Sequence, residues 1–183
     1  HTDNPYRKPI PCIQLLHCLE NEVKGGFSTL VDGFSVSEYL RKNHKDLFKI
    51  LTKTKVRFRF VDKTIILENW GELIELDENN SVKQVRYSTR LDYVPALEKK
   101  ELEIFYEARK LIADLYASSK FEIKFRLEKG DLLMMDNHRL LHGRTSYDVS
   151  EGKRYLKGCY IDHDSTEGKL RYLERKFGLK WKK

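Results

Sequence analysis

The hydrophobic period changes several times along the chain, and each change predicts an element. Ile13 to Cys18 is a short apolar run that reads as a buried strand, and Thr29 to Val31 reads as another, with Gly25-Gly26 turning the chain between them. The prolines in Asn4 to Pro9 exclude helix there. Ser35 or Ser37 is placed to cap a helix running towards Asn43, and Asp46 to Leu51 continues as helix with Leu47, Ile50 and Leu51 on one side. The period then becomes two: Val56, Phe58 and Phe60 alternate with Arg57 and Arg59, as in a half-buried strand. Leu73 to Leu76 and Val82 to Tyr87, joined by Asp77-Glu78-Asn79-Asn80, predict a hairpin. Glu98 to Ser118 predicts a helix whose apolar stripe is Leu102, Phe105, Tyr106, Ile112, Leu115 and Tyr116. Strands follow: Phe121 to Leu127 alternates, Lys129-Gly130-Asp131 turns into Leu132 to Met135, and Leu140 to His142 and Tyr155 to Ile161 complete the set. Leu170 to Phe177 predicts a terminal helix. Many short strands with a few helices predict an α+β domain built on a β-sandwich or jelly roll.

Composition narrows the class. The 183 residues suit one domain, and 40% hydrophobic against 34% charged residues describes a soluble, globular chain with no apolar run long enough for a bilayer. The start, His1 to Lys8, is polar and has no signal-peptide pattern, so the expected location is the cytoplasm. Cys12, Cys18 and Cys159 are too scattered for a disulfide framework, and none forms a CxxC pair, so buried free thiols are expected and a zinc cluster is not. The net charge of +7 is partly in the tail Lys180-Trp181-Lys182-Lys183. With no nucleic-acid motif and no aromatics interleaved among the basic residues, it reads as a solvated surface, without nucleic-acid or membrane partners.

Two segments carry chemistry. In His1-Thr2-Asp3, residues two apart at a strand end point to one face and can reach one ion together. The third ligand is expected from His142, in Asp136 to Arg144. Two imidazoles and one carboxylate make a facial triad, which leaves positions open for a bidentate 2-oxo acid and dioxygen on iron(II). The far carboxylate of such a co-substrate needs a cation. Arg154, twelve residues after His142, can return beside the metal on the next strand and offer its planar fork. Ser28, after Gly25-Gly26-Phe27, is a candidate hydroxyl for the same ligand.

These blocks, together with Gln14-Leu15-Leu16-His17-Cys18, Val31-Asp32-Gly33-Phe34 and Gly158-Cys159-Tyr160-Ile161-Asp162, resemble the gamma-butyrobetaine dioxygenase family and its trimethyllysine and taurine dioxygenase relatives. The resemblance implies a double-stranded β-helix with flanking helices that binds Fe(II), 2-oxoglutarate and dioxygen, with ascorbate in support. It implies His1, Asp3 and His142 as iron ligands, Arg154, Leu16 and Ser28 around 2-oxoglutarate, and Tyr160 and Asn4 near the substrate. Tyr160 would pack on a trimethylammonium head, which cannot donate hydrogen bonds and is held by ring faces. Where the family tends to have two asparagines for the substrate, Ser88 and Thr89 stand here, which opens a related quaternary ammonium or aminophosphonate substrate as the alternative. His138 also departs, standing where the family often has an aromatic residue or Arg. The family carries more sequence before the first ligand, including a zinc domain and an early core strand. Residues 1–183 are therefore expected to be the C-terminal portion of a catalytic domain lacking N-terminal strands, with an unpaired edge, and a metal-binding piece without turnover is the bland alternative. A homodimer is compatible. A processed amino-terminal His1 would instead suggest a copper brace, but those enzymes are secreted.

Overall fold

The computed structural model describes residues 1–179, so the basic tail lies outside the described residues. In chain order the elements are β1 (Ile13–Asn21), β2 (Ser28–Asp32), α1 (Gly33–Asn43), α2 (Lys45–Leu51), β3 (Lys55–Val61), β4 (Ile66–Glu72), β5 (Ile74–Leu76), β6 (Val82–Val85), β7 (Asp92–Tyr93), α3 (Lys99–Tyr116), β8 (Glu122–Phe125), β9 (Leu132–Asp136), β10 (Leu140–Arg144), β11 (Arg154–Ile161) and α4 (His163–Phe177). The strands form antiparallel sheets with orders β11-β1-β9, β10-β2-β8, β4-β3-β7 and β5-β6. The chain passes back and forth between the first two sheets, as in a jelly roll.

In the β11-β1-β9 sheet the strict alternation of side chains decides what faces the site. Gln14 pairs with Met135 and Tyr160, and Leu16 with Leu133 and Gly158, so these residues share one face. Gln14, Cys18 and Met135 on that face are buried. The opposite face shows Leu132 at 59% and Met134 at 67% exposure, with Cys159 and Ile161 also exposed. The expectation of three buried thiols therefore fails at Cys159, which falls on the outer side of the sheet.

The largest apolar core lies elsewhere, where α1, α2 and α3 cover β3 and the β5-β6 hairpin. Val36, Leu40, Leu51, Val56, Phe58, Ile74, Phe105 and Ile112 are sealed from solvent there. The α3 stripe is Phe105, Ala108, Ile112 and Tyr116; Tyr106, one position off the helical period, points outward at 54% exposure. Helix α1 is capped by Asp32, whose carboxylate accepts from the N–H groups of Phe34 and Ser35. Neither expected serine is the cap: Ser37 is buried and donates to the Gly33 carbonyl at 2.7 Å. His44, at φ −140°, separates α1 from α2. Helix α4 begins seven residues before its expected start at Leu170. Among the described residues no helix is long and apolar enough to cross a membrane.

Candidate metal centre

His1-Thr2-Asp3 is not a strand end; it is an extended segment clamped between β10 and Tyr87. His1 and His142 exchange backbone bonds, 3.1 Å from the His1 amino group to the His142 carbonyl and 3.0 Å in return. On the other side the Thr2 N–H donates to the Tyr87 carbonyl, and the Tyr87 N–H donates to the buried Thr2 hydroxyl at 3.1 Å. Pinned on both edges, residues 1 and 3 turn their side chains to the same side as His142. One donor atom from each of His1, Asp3 and His142 lies within 4.8 Å of the others. His1 Nε2 is 3.2 Å from Asp3 Oδ1, and His142 Nε2 is 3.6 Å from Asp3 Oδ2.

The Asp3 carboxylate is held from several directions. Tyr160 donates its hydroxyl to Oδ2 at 2.8 Å, and the Gln14 amide donates to the same oxygen. Asn137, with no exposed surface, accepts from the Asp3 N–H at 2.7 Å and donates to the carbonyls of Asp3 and Pro11, each at 2.9 Å. Burial opposes ionisation of Asp3, but the bonds from His1 and Tyr160 and the charges of His142 and His1 win and hold its pKa at about 2. Burial, helped by His1, pushes His142 below the usual histidine range against the pull of Asp3. An ionised carboxylate with a neutral imidazole is the state a metal requires. The buried Nδ1 of His142 has no partner among the described residues.

Two cavities meet at His1. The first, about 670 Å³, is lined by His1, His142, Leu16, Ser28, Thr29, Arg144, Arg154 and Leu156, among others. The β2–β10 register pairs Leu30 with His142 and Ser28 with Arg144, so Ser28 lies one step along the same face from His142. Arg154 reaches this cavity from β11. Among the described residues its buried Nε has no partner, and its terminal nitrogen makes a long contact, 3.4 Å, to the Gly26 carbonyl. Gly26, at φ +69°, makes room: a Cβ there would lie 2.9 Å from Arg154 Nε. Burial and the like charge of Arg144 lower the Arg154 pKa, an arrangement that an anion would relieve.

The second cavity, about 370 Å³, is lined by His1, Asp3, Asn4, Tyr6, Phe60, Ser88, Thr89 and Arg90, among others. Asn4, Ser88 and Thr89 thus line one cavity. Tyr160 is not in this lining; its hydroxyl is spent on Asp3. The rings that do line it, Tyr6 and Phe60, stack with centroids 5.0 Å apart. Sequence reasoning missed both, along with Asn137, Gln14, Arg144 and Arg90. Asn137 and Arg144 lie in the Asp136 to Arg144 block that the sequence singles out, and Gln14 opens another such block, but their roles were not marked there.

With the geometry described, similarity to known proteins becomes informative. The profile of the taurine catabolism dioxygenase TauD, TfdA family matches residues 1–160. Gamma-butyrobetaine dioxygenase of Pseudomonas sp. (strain AK-1) is 34% identical over 175 residues, covering 96% of this chain and 46% of that protein. The Homo sapiens gamma-butyrobetaine dioxygenase is 35% identical over 181 residues, covering 96% and 47%. Trimethyllysine dioxygenase of Meyerozyma guilliermondii is 33% identical over 178 residues, covering 94% and 44%. The chain spans somewhat less than half the length of these relatives. Among solved structures, AAD-2 in complex with Mn(II) and N-oxalylglycine superposes with a TM-score of 0.68 at 16% identity, covering 88% of this chain and 67% of that one. The non-heme iron oxygenase OrfP in complex with Fe and alpha-ketoglutaric acid gives 0.60 at 18%, covering 91% and 49%. At such identities the likeness is one of fold, a jelly roll with mixed helices and sheets.

Proposed function

We infer the function of this chain from the family to which it belongs, the taurine catabolism dioxygenase TauD, TfdA family, and from the chemistry of its site. It is the site-bearing part of an iron(II)- and 2-oxoglutarate-dependent dioxygenase that hydroxylates a small trimethylammonium compound such as gamma-butyrobetaine. The observation that carries this is the convergence of His1, Asp3 and His142 at the junction of two cavities, one of them ending on an arginine whose buried Nε has no partner among the described residues.

The donor set fits iron: two nitrogens, one carboxylate oxygen, and open space on the cavity side. Held there, iron(II) would couple the oxidative decarboxylation of 2-oxoglutarate to hydroxylation of a carbon–hydrogen bond by dioxygen. The chain's own residues set the geometry. Gln14 and Tyr160 fix the Asp3 carboxylate, and Asn137 fixes the Asp3 backbone, so that the ligand does not have to reorganise when a metal arrives. Arg154 neutralises the distal carboxylate of 2-oxoglutarate in a mostly buried position, with Ser28 as a hydroxyl donor and Leu16 as an apolar wall. Across the metal site, the faces of Tyr6 and Phe60 suit a quaternary ammonium, and Arg90 suits an acidic group at the other end of a zwitterion. The identity of the gamma-butyrobetaine dioxygenases supports the substrate class, and Ser88 and Thr89 leave room for a related quaternary ammonium or aminophosphonate.

The test is succinate formation by the full-length protein with iron(II), 2-oxoglutarate and a panel of trimethylammonium compounds. Asp3→Ala and His142→Ala should each abolish turnover; turnover at the wild-type rate in either would remove the proposed ligand set.

A further inference from the structure

A second group of metal-binding side chains lies apart from this centre. Cys12 precedes β1, His138 sits in the turn between β9 and β10, and His163 opens α4. One donor atom from each lies within 4.8 Å of the others. Zinc bonds of about 2.3 Å to sulfur and 2.0–2.1 Å to nitrogen place tetrahedral ligands roughly 3.3–3.8 Å apart, so side-chain shifts of about 1 Å close the set.

Both imidazoles are held as metal ligands usually are, by a hydrogen bond from the nitrogen not used for coordination. His138 Nε2 lies 3.1 Å from the Ile10 carbonyl. A carbonyl only accepts, so the ring proton is on Nε2 and the lone pair on Nδ1. His163 Nδ1 lies 3.2 Å from Glu167 Oε1, one helical turn on, which directs the lone pair to Nε2. The two rings are stacked, 29° between planes and 5.7 Å between centroids. Cys12 is 7% exposed.

We infer that Cys12, His138 and His163 form a zinc site, distinct from the His1–Asp3–His142 centre. One sulfur and two nitrogens make a softer donor set than two nitrogens and a carboxylate, so the two sites sort zinc from iron by ligand type. The ion ties the segment before β1, the β9–β10 turn and the start of α4 to one point. It also braces the first centre from behind: the backbone N–H of Asn137, whose side chain holds Asp3, donates to the Cys12 carbonyl at 2.7 Å. The CxxC spacing argument does not detect such a site, because its ligands are far apart in sequence and meet only in the folded chain.

Cobalt(II) tests the assignment, because a thiolate ligand adds a near-ultraviolet charge-transfer band that a nitrogen–carboxylate site lacks. The full-length protein in the Asp3→Ala background, where the first centre is disabled, is loaded with cobalt and its spectrum is compared with those of the Cys12→Ser and His163→Ala derivatives. The expected result is a thiolate band in the parent that is lost in the Cys12→Ser difference spectrum and lost or strongly altered in His163→Ala, with bound zinc falling by one ion per chain in each. His163 is exposed, so its variant reports on the metal even if Cys12→Ser perturbs folding. Spectra and zinc content unchanged by both substitutions, in proteins with the parent's far-ultraviolet circular dichroism, would overturn the site.

Discussion

At the scale of single residues, the site rests on charges that the protein leaves unbalanced. Arg154 is the clearest: a buried guanidinium nitrogen without a partner among the described residues, beside the like charge of Arg144. An unpaired buried donor on a charged group costs more than about 1–3 kcal/mol, and a bound carboxylate recovers that loss. Arg154→Met is therefore expected to weaken 2-oxoglutarate binding by at least about tenfold while leaving iron(II) affinity within about twofold. Calorimetric titration of each ligand checks this, and an unchanged 2-oxoglutarate affinity would refute the role. The proposed metal-binding side chains were legible because chemistry restricts such ligands to few residue types: His1, Asp3 and His142 stand out in the sequence, and the fold brings them together. The groups that orient them were not. Gln14 and Asn137 act through side-chain amide hydrogen bonds to a residue more than ten positions away, and the sequence blocks they lie in do not mark that role. Tyr160 shows the limit of reading a residue type as a role. The resemblance implied that its ring packs on a cation; the strand register aims its hydroxyl at Asp3.

At the scale of elements, alternation and helical period located what is half-buried and lost what is not. β3 was legible because Val56 and Phe58 are sealed on one face while Arg57 and Arg59 lie on the other. Its neighbour β4 was not. It is the edge of its sheet, exposed at Ile66 and Trp70, so no face of it has to be apolar. The two-residue β7 is too short for any period to show. Helix α1 was found but its cap was misplaced, because Asp32 is also the last residue of β2 and pairs with Arg139 through both carboxylate oxygens. Burial opposes ionisation of Asp32, and the bonds from Arg139 and Ser35 outweigh it, so its pKa is lowered. A carboxyl depressed in the folded state adds stability above its unfolded value, about 3.9, and loses it as pH falls through the folded value. Asp32→Asn keeps a capping side chain and removes the charge. Urea unfolding across an acid pH series should show a shallower loss of stability below about pH 4 in the variant than in the wild type. Parallel pH profiles would mean that the Asp32 charge is not coupled to folding.

At the scale of the whole molecule, the helical core and the candidate site share residues. Tyr87 and Tyr116 belong to the core around α3, line the larger cavity, and meet edge to face at 5.1 Å. Tyr87 also holds Thr2, the residue between two proposed ligands. Loss of core packing should therefore reach the site. Phe105→Ala, at a fully buried position of α3, is expected to cost about 3–5 kcal/mol and to weaken iron binding with it. A loss below about 1 kcal/mol in denaturant titration would show that the core relaxes around the cavity. The α+β class and the jelly-roll passage of the chain were legible in the count and spacing of the strands. The division into separate sheets was not, because pairing partners such as β1 and β11 lie at opposite ends of the chain. The central claim is that His1, Asp3 and His142 hold iron(II) and that 2-oxoglutarate chelates it with Arg154 at its far end. The most direct measurement is an anaerobic titration of the full-length protein with iron(II) and 2-oxoglutarate, following the visible charge-transfer absorption of the chelate. The account expects a band that saturates at one equivalent and is lost in His142→Ala. A folded protein that gives no band, or a band that survives His142→Ala, would contradict it.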